Sequence, residues 1–353
     1  MTEQDISLRI QERVTQARQT GTALCIRGSG SKDFYGRRAV GDVLELGPHR
    51  GIVSYEPTEL VITARAGTTL QVLEQTLAEE GQLLPFEPPH FGSGATLGGT
   101  IACNLSGPRR AYAGAARDFV LGTRLVNGRS EILSFGGQVM KNVAGYDVSR
   151  LMCGAMGSLG ILLEISVKVL PIPQCEITLM IETNLHNALE TIHDWAQKPY
   201  PVSATCYDGD CLFVRLSGEE RAVKAARNIM GGEILQDADS FWRKLREHEH
   251  GFFDSRKPLW RLSLASDTPL IDLPGKWLYE WGGAQRWLVS EASDVQIREA
   301  AAAAGGHASY YRGNHREQVF QPLSPAMARI HKRLKHAFDP EGLFNPGRLY
   351  ENL

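Results

Sequence analysis

Three glycine-rich stretches carry the residues best suited to chemistry. Arg27-Gly28-Ser29-Gly30-Ser31-Lys32 sets small residues between two cations. Consecutive small residues can turn several N–H groups onto one anion, which suits a diphosphate. The same run also suits an ordinary strand-end turn. A Rossmann fingerprint needs a third glycine and an immediate helix, and Asp33–Arg38 is a poor helix. A Walker loop, G-x-x-x-x-G-K-[ST], is absent. The second stretch, Phe91–Gly107, puts Thr96, Gly98, Gly99, Asn104 and Gly107 on a path with little side-chain bulk. The third, Gly136–Pro171, includes Lys141-Asn142, spaces Gly154, Gly157 and Gly160 three residues apart, and ends in the apolar run Leu159–Leu170. Glycine at this density brings backbone close to a ligand or to another segment.

The histidines and cysteines are less suggestive. His248 and His250 stand two apart and would not share a helical face, so a solvated pair is expected rather than a chelate. His331 and His336 fall on a basic helical face and are expected in solvent. His307 follows Gly305-Gly306 and opens a strand, which makes it a candidate for proton transfer. The six cysteines form no C-x-x-C pair. Buried reduced thiols are expected, with neither an iron–sulfur cluster nor another metal site.

Elements that must position these residues follow from periodicity. Ile6, Ile10, Val14 and Ala17 predict a helix capped by Gly21; Ala23–Arg27, Val43–Leu46, Gly51–Tyr55 and Glu59–Ala66 predict strands. Leu70, Leu73 and Leu77 predict a second helix. Asp118–Val126 and Arg129–Phe135 flank Asn127-Gly128, the signature of a type I′ hairpin. After Pro171 the order becomes β-α-β-β-α-β over 176–235, a ferredoxin-like unit. Residues 259–312 repeat it with a shortened first crossover, and the two units should share one antiparallel sheet. A last helix carries Met327, Ile330, Leu334 and Phe338, and Asp339-Pro340 ends it. The chain has 353 residues, 42% hydrophobic and 22% charged, with a net charge of −2. That balance gives no electrostatic case for nucleic acid. No apolar run reaches the roughly 20 residues of a membrane span, and the amphipathic start MTEQDISLRIQERV lacks a signal-peptide core. A cytoplasmic location is expected.

Taken together, GTTL after a strand, TLGGTIACNLSG, KNVAGYDVSRLMCGAMGSLGILLEISVKVLP and DPEGLFNPGR resemble the vanillyl-alcohol-oxidase, or PCMH-type, family of FAD-binding flavoproteins. The resemblance covers essentially the whole chain. It implies an α+β fold: an FAD-binding domain of two α+β subdomains over 1–173, a cap domain over 174–335, and a tail over 336–353 that returns to the flavin. It implies that Arg27, Gly28, Ser29, Gly30, Ser31 and Lys32 hold the pyrophosphate. Thr96, Gly98, Gly99 and Asn104 would line the dinucleotide, Gly157, Gly160 and Ile161 the adenosine half, and Asn345 and Arg348 the flavin. Covalent members carry a histidine where this chain has Ser31-Lys32, so non-covalent FAD is expected.

The resemblance further implies oxidation of a small 2-hydroxy acid such as glycolate or D-lactate, with His307 and Arg348 as catalytic candidates. It implies an FAD subunit of a glycolate dehydrogenase complex. The partners would be a second FAD-containing hydroxy-acid dehydrogenase subunit and an iron–sulfur subunit. Electrons would pass to quinone, with the complex peripheral at the inner face of the cell membrane. Two readings stay open beside it. One is a self-sufficient dehydrogenase using Arg109, Arg110, His307 and Arg348; the other is a scaffold without flavin.

Overall fold

The computed structural model describes residues 3–137 and 146–353. Lys141, Asn142 and the rest of 138–145 lie outside the described residues. The chain divides into two compact units. The first takes Met1–Leu105, Ala115–Pro171 and Pro322–Leu353; the second takes Ser106–Gly114 and Ile172–Gln321.

In the first unit, the helix Ser7–Thr20 turns Ile10, Val14 and Ala17 inward, each no more than 1% exposed. It ends at Gly21, whose φ of +66° lets its N–H reach back to Ala17 O. Strands β1 (Leu24–Arg27) and β2 (Asp42–Glu45) pair in parallel. The other edge of β1 is covered by the tail, with Leu24 N donating to Leu343 O and Asn345 N to Leu24 O. These segments share a core of Ile10, Val14, Leu24, Val126, Ile161, Leu163 and Phe344.

The unit's main sheet uses β3 (Ile52–Glu56), β4 (Val61–Arg65), β6 (Val120–Val126), β7 (Ile132–Gly136) and β8 (Ile161–Lys168). Its order is β3-β4-β8-β6-β7, antiparallel throughout. Short β5 (Gln82–Leu83) and β9 (Leu170–Pro171) pair separately. The β6–β7 connection differs from the type I′ expectation. It is a longer loop closed by Asn127 N to Glu131 O, and its left-handed residue is Ser130 (φ +65°). Gly128 has another role: a Cβ there would lie 2.6 Å from Asp339 Cα, and its N–H donates to Phe338 O. A further difference is the helix Leu97–Cys103, inside the stretch that reads as a small-residue path. Thr96 caps it, with Oγ1 accepting from Gly99 N at 3.3 Å.

The second unit carries the doubled ferredoxin-like order. Its first half is β10 (Cys175–Glu182), β11 (Val202–Tyr207), β12 (Cys211–Gly218) and β13 (Glu233–Ile234), with helices Leu185–Ala196 and Glu220–Met230. The second half is β14 (Leu259–Ser263), β15 (Lys276–Glu280), β16 (Gln285–Val289) and β17 (His307–Arg312), with helix Asp294–Ala303. All eight strands form one antiparallel sheet, β13-β10-β12-β11-β15-β16-β14-β17. The halves meet at β11–β15, through Cys206 opposite Glu280 and Tyr207 opposite Tyr279. Each half keeps its own core, around Leu179, Val214 and Val223 in one and Trp260, Leu288 and Ile297 in the other. All six cysteines are unpaired thiols.

His248 and His250 are not the solvated pair the spacing suggests. His248 stacks on Phe253 at 4.0 Å and 7°, with Trp287 and Tyr311 beside it. His250 Nδ1 accepts from Phe252 N. Burial, with the nearby charges of Arg312 and Arg261, pushes the pKa of His248 down to about 3 from 6.5. The unfolded chain therefore binds a proton below pH 6.5 that the folded chain refuses until about pH 3. Stability is lost as pH falls through that window, by at most about 1.4 kcal/mol per pH unit from this one group. Urea unfolding between pH 7 and 4 should show that decline. His248→Asn, which tolerates the φ of +57°, should be less stable at pH 7 yet show a shallower acid slope.

Candidate functional site

The small-residue loop after β1 folds back on its own cation. Gly30 has φ +79°, and a Cβ there would lie 2.4 Å from Arg27 Nη2. Gly28 presses on the capping threonine, its Cβ position 2.4 Å from Thr96 Oγ1. Among the described residues, the N–H groups of Ser29 and Gly30 meet no acceptor. Arg27 pairs with Asp33 at 3.1 Å and Glu45 at 3.9 Å, while its Nε is buried without a partner among the described residues. Lys32 is 6% exposed. Its Nζ lies 3.4 Å from His90 O, 3.5 Å from Ser31 Oγ and 5.7 Å from the Phe91 ring centre.

The helix Leu97–Cys103 stands against this loop, but its first turn is already occupied. Leu97 N donates to Thr68 O, Gly98 N to Ala66 O and Gly99 N to Thr96 Oγ1. Gly98 is small because Ala66 is there: its Cβ would fall 2.7 Å from the Ala66 Cβ. Thr100 Oγ1, fully buried, has no partner among the described residues. Burial raises the pKa of Cys103 on this helix, and the charges opposing that rise are Lys32 and Arg348. Loop, helix and tail thus converge.

Asn104 ends the helix in a left-handed conformation, φ +51°, and its Oδ1 accepts from Arg117 N. Gly154 N and Met156 N donate to Ile101 O and Ala102 O, which docks the next turn on the helix. Gly157, φ +70°, leaves room for Asn345, whose Nδ2 would sit 2.7 Å from a Cβ. Asn345 is 4% exposed. Its Oδ1 accepts from Ile26 N at 2.8 Å and its Nδ2 donates to Met156 O at 2.6 Å. Arg348 Nη1 and Nη2 donate to Arg37 O and Tyr35 O at 2.6 and 2.7 Å. Its fork therefore clamps backbone carbonyls of the Tyr35–Arg37 loop.

The first unit thus gathers Arg27 to Lys32, Thr96, Asn104, Gly157, Asn345 and Arg348. Gly160 and Ile161 face the core behind β1 and the tail. Gly160 backs onto Leu125 and Val126 O, and Ile161 is fully buried in the core. His307 opens β17 in the second unit, opposite Ser263, with its side chain exposed. Sequence reasoning missed Lys335 and Asp339, whose buried contacts with the tail leave no signature beyond their i, i+4 spacing.

Comparison with known proteins supplies the family. The FAD binding domain family matches residues 8–136. Glycolate oxidase subunit GlcE of Escherichia coli (strain K12) is 51% identical over 349 residues, 99% of each chain. The chain belongs to the GlcE family. Glycolate oxidase subunit GlcD of Bacillus subtilis (strain 168) is 32% identical over 46% of this chain and 35% of its own length. A D-lactate dehydrogenase of Anaerostipes hadrus is 33% identical over 43% of this chain and 32% of its own. Among solved structures, p-cresol methylhydroxylase superposes over 99% of this chain and 88% of its own length, with a TM-score of 0.73 at 14% identity. Alkyldihydroxyacetonephosphate synthase covers 96% of this chain and 74% of its own, with a TM-score of 0.67 at 14% identity. These two structures carry the fold alone.

Membership of the GlcE family makes this chain an FAD-binding oxidoreductase. Its residues fit the cofactor: among the described residues the loop holds the unmet N–H groups of Ser29 and Gly30, the buried Arg27 Nε without a partner, and a second cation, Lys32. A valine at Gly30 would cost about 1–2 kcal/mol in backbone conformation alone and would displace Arg27. Gly30→Val should lower the flavin-to-protein ratio well below wild type while circular dichroism stays close to it. Gly160→Val, which meets Leu125 and Val126 instead, should lower the melting temperature.

Proposed function

We propose that this chain is the FAD-binding subunit of a glycolate dehydrogenase complex that oxidises glycolate to glyoxylate. The whole-chain likeness to glycolate oxidase subunit GlcE carries this reading. The likeness to GlcD favours a second FAD-containing hydroxy-acid dehydrogenase subunit as a partner. An iron–sulfur subunit completes the complex and passes electrons to quinone. In this reading any contact with the inner face of the membrane is peripheral, from the cytoplasm, through the complex; no helix among the described residues is long and apolar enough to cross a membrane.

In this reading the first unit is the flavin domain and the second the cap. Oxidation takes a proton from the hydroxyl of glycolate and a hydride from its carbon; bound FAD supplies the two-electron acceptor. The N–H groups of Ser29 and Gly30 would hold the diphosphate, and Arg27 and Lys32 would balance its charge. Asn345 and Arg348 hold the surrounding backbone. Arg348 has both terminal nitrogens on carbonyls, so it acts by fixing the loop rather than by gripping a substrate carboxylate. His307 is exposed, and of the proposed catalytic residues it is the one left to accept a proton.

FAD is held without a covalent bond. Acid precipitation should release all yellow colour to the supernatant as FAD; colour in the pellet would refute it. Dye reduction by glycolate or D-lactate should be negligible with the purified chain and should appear on co-expression with the partner subunits. Full activity of the isolated chain, lost in His307→Ala, would establish a self-sufficient dehydrogenase. A purified chain with no flavin spectrum would establish the scaffold.

A further inference from the structure

The tail that carries Asn345 and Arg348 is fastened by an ion pair with no part in the reaction. Lys335, on the helix Pro325–Phe338, has 11% of its side chain exposed, and Asp339 beyond the helix has none. An ammonium group has three donors, and all three are used: Lys335 Nζ meets Ser158 O at 2.8 Å, Phe344 O at 2.8 Å and Asp339 Oδ2 at 2.7 Å. Asp339 Oδ1 accepts from Leu343 N at 3.0 Å, and Oδ2 accepts from Phe344 N at 2.8 Å. Gly128 packs against the aspartate where any Cβ would collide. One buried pair thus ties the last helix, the segment after Gly157, the β6–β7 loop and the tail.

We propose that Lys335 and Asp339 are the positioning residues of the flavin site, a latch that sets the tail beside β1. From Phe344 onward each contact depends on the one before. Asn345 N reaches Leu24 O, the Asn345 carboxamide bridges Ile26 N and Met156 O, and Arg348 holds Tyr35 O and Arg37 O. These carbonyls and amides belong to the strand end, loop and turn that surround Gly28–Lys32. The proposal rests on the reading that this loop binds FAD. When the tail leaves β1, the competent population falls and apparent affinity falls in proportion.

The test uses the full chain, stripped of flavin and titrated with FAD, as wild type and as Lys335→Met. Hydrogen exchange is followed at the Ile26 amide, which Asn345 covers, and at the Ile165 amide in the main sheet. The expected result is FAD binding at least about tenfold weaker, the loss that follows from a tail docked one-tenth of the time. Exchange should be accelerated at Ile26 and unchanged at Ile165. If Lys335→Met fails to fold, the double variant Lys335→Met/Asp339→Leu replaces the pair with apolar groups and leaves no unpaired charge; the same changes are expected in it. Wild-type affinity, unaltered Ile26 exchange, or equal acceleration at both amides overturns the latch. A wild-type chain that takes up no FAD instead overturns the flavin-site reading and removes the premise of the proposal.

Discussion

A two-stranded pair of four-residue strands cannot hold itself together in water, and the candidate flavin loop hangs from one. β1 and β2 supply four paired positions. What makes β1 a firm support is its second neighbour, the tail, whose backbone bonds Leu24 and whose Asn345 side chain takes the Ile26 amide. Asn345 adopts a φ of +41°, a region that Asn enters more readily than most residues. The left-handed turn aims its carboxamide between two segments, Ile26 and Met156. The strand end from which Gly28–Lys32 departs is fixed by that arrangement, and Thr96 and His90 O hold the loop beyond it.

The buried charges serve the same end at a cost. Taking an ammonium and a carboxylate out of water is expensive, and breaking such a pair by removing one partner costs about 3–5 kcal/mol. Lys335 and Asp339 offset the desolvation with five hydrogen bonds between them: three donated by the ammonium, one of them to the carboxylate, and two accepted by the carboxylate from backbone amides. An apolar pair could match their stability but could not bind the Leu343 and Phe344 amides, so it would not dictate where the tail lies.

Much of the second unit was legible because its elements are cleanly punctuated. Its strands are mostly buried runs between turn residues, as β12 and β16 are, and with helices such as Leu185–Ala196 and Glu220–Met230 they agree with their local propensities, so tertiary structure had nothing to override. The helix Leu97–Cys103 was illegible because Gly98 and Gly99 weigh against a helix by nearly 1 kcal/mol each. Thr96 capping and the closeness of Ala66 outweigh that penalty. Asn127-Gly128 misled for the opposite reason: the glycine answers a neighbour far away in sequence, not a turn type. His248 looked solvated because only folding brings Phe253, Trp287 and Tyr311 around it. In the site, the small residues of the loop announced themselves. Lys335 did not, since a lysine on a basic helix face gives no sign that its end is buried, and nothing in the motif around Arg348 reveals that its fork is spent on carbonyls of its own chain.

Ile26 and Asn345 are 319 residues apart. At about 5–20 residues per second of synthesis, roughly 15–65 s separate the emergence of β1 from that of the segment that completes its edge. All eight strands of the second unit lie between 175 and 312, so that sheet is fully synthesised while β1 still waits. The part of the protein made first is thus finished last. For most of its time on the ribosome the nascent chain lacks the partners of Leu24 and Ile26, and until the tail emerges those backbone groups are open to a chaperone or a second nascent chain.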